Sequence, residues 1–278
     1  MKECGFVKKY IFPALITVFA VVFLISSAVV LEYVIESKKQ KDQYNDLSNI
    51  VQQIQQQQSG NNQSNGSGDN TPNLPSLEDV EHPKTGEHIK VLREYVPILE
   101  RNSDLVGWLK IPGTRIDFPV LQTPDSPNFY LTRDFYKKDS RHGAVYVCEY
   151  ADVNAPSDNV TIYGHKMKDG SMFSDLFEYM DKDFYLEHSQ ITFDTLTEHH
   201  TYQIVAAFLT TAAKGGFGYH RYVDGDAALF DEYIAKCKEL SLYDTGVTAQ
   251  YGDKLITLST CYLGIDDGRF VVVAKRIQ

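Results

Sequence analysis

The sequence predicts a mainly β protein, a closed or nearly closed mixed β-barrel decorated by helices and preceded by an apolar N-terminal segment. Three observations predict it. Eight short strand-like runs crowd the C-terminal two thirds of the chain. They do not alternate regularly with helices, as a doubly wound sheet requires, so a barrel is the better fit. Before them lies an uncharged run, Tyr10–Leu31, rich in Ile, Val, Phe, Leu and Ala. It is long enough to cross a bilayer as a helix, which takes about 20 residues.

Taken in order, residues 1–9 form a short N-terminal segment, expected on the cytoplasmic side, and residues 10–31 a transmembrane anchor with Pro13 in its first turn, where a helix tolerates proline. A cleaved signal peptide competes, because Lys8 and Lys9 precede the run and Ser26-Ser27-Ala28 offers small residues for cleavage. The run exceeds the usual apolar core of such a peptide, which favours an anchor. Lysines flank both sides (Lys2, Lys8, Lys9 and Lys38, Lys39, Lys41), so charge bias orients it only weakly. Residues 32–58 read as a polar juxtamembrane helix with a broken apolar stripe at Tyr44, Leu47, Ile50, Val51 and Ile54, expected to be solvated. Residues 59–80 are too polar and glycine-rich to form a core and read as a flexible linker.

The folded domain spans 81–278, enough chain for one sizeable core. His88–Ser103 is expected to be helical, interrupted by Pro97. The strand-like runs are Leu105–Ile111, Asp117–Leu121, Ala144–Val147, Asn159–Tyr163, Ser189–Thr195, Thr201–Leu209, Lys254–Ser259 and Arg269–Ile277, with turns marked at Pro112-Gly113 and Asp267-Gly268. Ser171–Phe184 and Asp224–Leu240 are helical insertions. In the second, Ala227, Phe230, Ile234 and Cys237 recur near helical spacing.

A net charge of -10 with no basic block argues against a nucleic-acid partner. Cys4 precedes the apolar run, leaving Cys148, Cys237 and Cys261 beyond it, an odd number without disulfide or metal-ligand spacing. No cofactor or metal is expected. At least one thiol stays free outside a membrane unless it pairs with another chain, and a reactive cysteine is one reason to keep it.

Cys261 ends KLITLSTC, where a strongly β-forming run gives way to a loop. Arg269 stands eight positions on, at the mouth of the next strand, within reach across an antiparallel turn. A guanidinium beside a thiol lowers the cost of a thiolate and steadies the oxyanion that forms when a thiolate attacks a carbonyl. His165 ends NVTIYGH, another strand followed by a polar loop, where an imidazole is held firmly enough to serve a nucleophile as general acid and base. Taken singly, each of the three also fits a structural or solvated role. Cys148 and Cys237 sit in core-like patterns, and His188, His199, His200 and His220 read as surface or unremarkable.

Three blocks together resemble the sortases, class B in particular: TLSTC at Thr257–Cys261, RFVVVAKR at Arg269–Arg276 and YGHKMKDGSMF at Tyr163–Phe173. The resemblance covers about Lys90 to Gln278, and the N-terminal anchor and the helix before the cysteine strand match in order. It implies an eight-stranded sortase-type barrel with N-terminal helices on the outer face of a Gram-positive cell membrane. It further implies Cys261 as nucleophile, His165 as general acid/base and Arg269 as stabiliser of the oxyanion and substrate. Ser259, Thr260 and Leu131 of the FYL run would border the substrate groove, and a backbone N–H near Cys261 is a candidate oxyanion donor. The implied partners are exported proteins with a C-terminal NPxTx-like sorting signal, cleaved after Thr, and an amine of a peptidoglycan stem, cross-bridge or lipid-linked precursor. A pilin-polymerising sortase, a cysteine hydrolase of another lineage and a non-catalytic anchored receptor are the alternatives.

Overall fold

A computed structural model describes residues 12–64 and 76–278. Residues 1–9 with Cys4, the first two residues of the apolar run and the middle of the expected linker lie outside the described residues. The chain divides into two units, 1–43 and 44–278. One helix, α1 (Phe12–Ser64), runs through the boundary. In the first unit its side chains from Phe12 to Leu31 are exposed. With a mean hydropathy of 2.8 in its most apolar window, this helix is long and apolar enough to cross a membrane.

In the second unit the helix is not solvated, contrary to expectation. Tyr44, Leu47 and Val51 are buried, and their spacing places them on one face. Tyr44 meets Phe118 edge-on, centroids 5.0 Å apart, while Ser48 donates to Asp117 at 2.9 Å. The apolar stripe that the sequence shows is therefore a packing face. At the two ends of the expected linker the helix continues to Ser64 and strand β1 (Leu77–Glu81) begins.

His88–Ser103 departs from the expected helix. Its first part is strand β2 (His88–Leu92), paired antiparallel with β1 so that Leu77 faces Leu92. A 3-10 turn over Arg93–Tyr95 and a single helical turn, α2 (Val96–Leu99), follow, with Pro97 near the start of that turn. Ile89, Leu92, Val96 and Leu99 mimic a helical stripe. Pairing with a partner absent from that local window decides otherwise.

The barrel comprises β3 (Leu105–Lys110), β4 (Asp117–Leu121), β5 (Val145–Val147), β6 (Asn159–Tyr163), β7 (Gln190–Thr195), β8 (Thr201–Thr211), β9 (Leu255–Tyr262) and β10 (Gly268–Arg276). It closes in the order β10-β8-β7-β3-β4-β5-β6-β9. Only β4–β5 and β6–β9 are parallel, so the eight-stranded mixed barrel expected from the sequence is the one observed. The insertion expected over Ser171–Phe184 is a 3-10 helix, Phe173–Met180, followed by a short helix α3 (Lys182–Glu187).

Strand β9 is buried on both faces from Leu255 to Thr260. Its neighbours β8 and β10 share that fate because helix α4 (Ala227–Leu240) covers them from outside. Phe230, Tyr233, Ile234 and Cys237 form one cluster with Val205, Phe208, Val271 and Val273. Asp226 caps the helix by accepting from the Leu229 N–H at 3.0 Å, and such a cap stabilises by about 1 kcal/mol. Beyond Thr260 the double cover ends, and the next side chain, Cys261, is exposed.

Candidate active site

Strand pairing alone brings the three predicted residues together. In the parallel pair β6–β9, Tyr163 lies beside Ser259, and the Gly164 N–H donates to the Ser259 carbonyl at 3.2 Å. His165 and Cys261 each follow that pair by two residues, so they emerge side by side from neighbouring chains, whose usual spacing is about 4.8 Å. In the antiparallel pair β9–β10, Arg269 is directly opposite Cys261. Residues level with one another on adjacent strands point to the same face. Cysteine and arginine thus stand level on β9 and β10, and the histidine emerges beside them from the chain that continues β6. Cys261 lies within β9, one residue before its end, and not in the loop that the sequence suggests.

The three residues open into a cleft of about 310 Å³, which His165, Cys261, Arg269, Leu131, Ser259 and Thr260 all line. The Nε2 of His165 lies 2.7 Å from the Leu131 carbonyl oxygen. A carbonyl only accepts, so Nε2 carries a proton and Nδ1 is the ring atom left for chemistry. Leu131 closes a 3-10 turn, Phe129–Leu131, and its contribution beyond lining is thus a backbone oxygen. Arg269 donates one Nη1 to the carbonyls of Asp267 at 3.0 Å and Gly268 at 2.9 Å. Its own turn orients the guanidinium, which lines the cleft.

Ser259 and Thr260 are buried at the cleft floor. The Ser259 hydroxyl is tied to the Tyr219 hydroxyl at 2.6 Å, whereas the Thr260 hydroxyl has no hydrogen-bond partner among the described residues. Further lining residues escaped sequence reasoning, among them Asn128, Tyr146, Tyr163, Tyr219 and His220. Tyr163 was within sight, two positions before His165. The others come from loops and a distant strand with no motif to mark them.

Burial pushes the phenols of Tyr146, Tyr163 and Tyr219 up, so they remain neutral donors. Burial also depresses His220, and the cations Arg221 and Arg269 depress it further. This histidine, unremarkable in sequence, is a neutral ring on the cleft wall near neutral pH. Cys148 and Cys237 are buried as expected, and burial raises both thiols, Cys237 to about 12. His200 is buried rather than on the surface. The described residues include no group of three or more His, Cys, Asp or Glu side chains placed to hold a metal.

A family profile described as Sortase domain matches residues 109–277. The chain belongs to the sortase family. Sortase B of Listeria monocytogenes is 37% identical over 179 residues, covering 63% of this chain and 71% of that protein. Sortase B of Staphylococcus aureus is 30% identical over 195 residues, covering 69% and 78%. A solved Staphylococcus aureus sortase B–substrate complex superimposes with a TM-score of 0.70 at 26% identity, covering 88% of this chain and 99% of the other. The barrel is therefore the sortase B barrel, and the protein is a sortase-type cysteine transpeptidase of the cell-wall-anchoring kind.

Proposed function

We propose that this sortase cleaves an NPxTx-like C-terminal sorting signal after its threonine and transfers the acyl group to a peptidoglycan amine. Cys261 is the nucleophile in this reading, His165 the general acid and base, and Arg269 the oxyanion partner. The convergence of these three side chains on one cleft, His165 from just beyond the end of β6 and Cys261 opposite Arg269 on β9 and β10, is the observation that carries it.

Each step follows from these groups. The Cys261 thiol passes its proton to His165 Nδ1, and the resulting thiolate attacks the threonine carbonyl carbon, forming the C–S bond while the carbonyl electron pair moves onto oxygen. A guanidinium already anchored through one Nη offers its other N–H groups to that oxyanion without reorganising. The tetrahedral adduct collapses and the C–N bond breaks. His165 delivers a proton from Nδ1 to the departing amine, while Nε2–H stays on the Leu131 carbonyl and fixes the ring. A thioester remains. The incoming wall amine attacks it, His165 takes up the proton from that amine, and the Cys261 thiolate leaves. Ser259, Thr260 and Leu131 border the groove that the peptide occupies.

The apolar part of α1 is long enough for a single-pass anchor, and in this reading the catalytic domain lies outside the cell, where exported clients and wall precursors meet. In the test, the full-length protein in detergent micelles is incubated with NPxTx-type peptides, with and without a wall-derived amine. Intact mass should show a joined product only when amine is present. Cleavage at the same rate to a free acid, indifferent to amine, would replace transpeptidation by hydrolysis.

A further inference from the structure

A second histidine, used nowhere in the mechanism above, is completely buried near His165. His142 has no exposed side-chain area, and its Nε2 lies 3.0 Å from Asp169 Oδ2, a side chain only 17% exposed. Removing an imidazole and a carboxylate from water is expensive unless they satisfy each other. Neither residue lines the cleft. The cost therefore has to be explained by what the two residues hold.

Each belongs to a segment that touches His165. Gly143, immediately after His142, has φ +59, and a Cβ built there would lie 2.7 Å from the Tyr130 carbonyl oxygen, 2.8 Å from that of Leu131 and 3.0 Å from His165 Cδ2. The backbone at 143 is thus pressed against the imidazole and against the carbonyl that accepts its proton. Ala144 N–H donates to the Tyr130 carbonyl at 2.9 Å and fixes that approach. Asp169 is near the tip of the loop that leaves His165. A Lys166–Met172 bridge closes this loop, and the Phe173 N–H returns to the His165 carbonyl at 2.8 Å. Within it Asp169 also accepts from the Ser171 N–H at 3.0 Å and hydroxyl at 2.6 Å. One segment therefore supplies the packing surface for the ring and the other supplies its backbone. The His142–Asp169 contact joins them.

We propose that the His142–Asp169 pair is a positioning device that clamps these two segments together and so holds the His165 ring on the Leu131 carbonyl. The role in turnover rests on the reading of His165 as general acid and base. The geometric part does not, which lets the two be tested apart. Clamping matters because proton transfer tolerates little angular error, and displacement by about 1 Å can cost up to a hundredfold in rate. A turn-rich loop has no ladder of its own to supply that precision.

The experiment compares wild type, Asp169→Ala and Asp169→Asn as full-length proteins in micelles, reading kcat and KM for peptide-to-amine transfer and the ring nitrogen NMR signals of 15N-labelled His165. Asp169→Ala should lower kcat about tenfold with KM within about twofold, and should erase the Nε2–H tautomer signature. Asp169→Asn retains an acceptor oxygen and should restore both. Unchanged His165 signals in Asp169→Ala, or a kcat per folded molecule equal to wild type, would overturn the clamp. If Asp169→Ala does not fold, His142→Asn, too short to span the gap, provides the same two readings. If His165→Ala keeps full turnover, the acid–base assignment falls, and the ring signals still decide whether the clamp exists.

Discussion

Two polar clusters lie on different parts of the barrel unit, and they treat their hydrogen bonds in opposite ways. Near the lower part of α1, buried Glu94 receives Gln55 at 3.3 Å and His199 at 3.3 Å. His199 reaches Asp194 through its other nitrogen at 2.7 Å, and Asp194 also accepts from Tyr95 at 2.6 Å. Both ring nitrogens of His199 are engaged. In the cleft, by contrast, His165 has one ring nitrogen engaged, and Thr260 has a buried hydroxyl without a partner among the described residues. Saturated polar clusters hold structure together, whereas a cluster with unspent donors and acceptors can bind and react.

Substitutions can break this contrast from either side. The largest effect belongs to Cys261→Ala, which should reduce acyl-enzyme formation and transfer to background while leaving thermal melting near wild type, because the thiol is exposed. Arg269→Lys comes next. A lysine keeps the charge but loses the fork that anchors on Asp267 and Gly268 while offering further donors, so kcat should fall about a hundredfold. Gly143→Ala places a methyl among two carbonyl oxygens and the His165 ring in a left-handed backbone. It should cost about 1–3 kcal/mol of stability, read by urea denaturation, together with a drop in kcat.

The smallest effect tests the saturated cluster through pH. Hydrogen bonds to Asp194 and Glu94 raise His199 to about 10, against the opposing effect of burial. A raised histidine contributes stability that is fully present below the unfolded value of 6.5 and lost as pH rises through about 10. Burial pushes Glu94 up, but the hydrogen bonds of His199 and Gln55 outweigh it and hold Glu94 below 4.5. That contribution is present above 4.5 and lost on acidification below it. The urea midpoint should therefore decline between pH 7 and 10, and His199→Gln should flatten that limb. The change should be modest, since the His199 side chain is 44% exposed and water screens it.

How much of this was legible in the sequence depended on how local the determining physics was. The eight barrel strands carry β-branched and aromatic residues between turns, and the sequence places each to within a few residues. The sequence ends β9 at Ser259, because Cys261 and Tyr262 look like the start of a loop, whereas pairing with Gly268 and Arg269 carries it on to Tyr262. His88–Leu92 reads as helix in the sequence, but its pairing with Leu77–Glu81 outweighs a chance helical spacing. Cys261 and Arg269 could be paired from a short connection between strands. His165 required the parallel register of Tyr163 with Ser259, almost a hundred residues away, and only the resemblance to sortases supplied that partner beforehand. Tyr219 and His220 sit on a 3-10 turn with no periodicity, so nothing marked them as cleft residues.

The measurement that bears most directly on the account is the mass of the enzyme after brief exposure to a sorting peptide without acceptor amine, followed by peptide mapping of the modified residue. The account predicts one added acyl fragment ending at the motif's threonine, attached as a thioester at Cys261 and discharged by a wall amine. An unmodified protein that still turns over the peptide, or an acyl group mapped to any other residue, would contradict it.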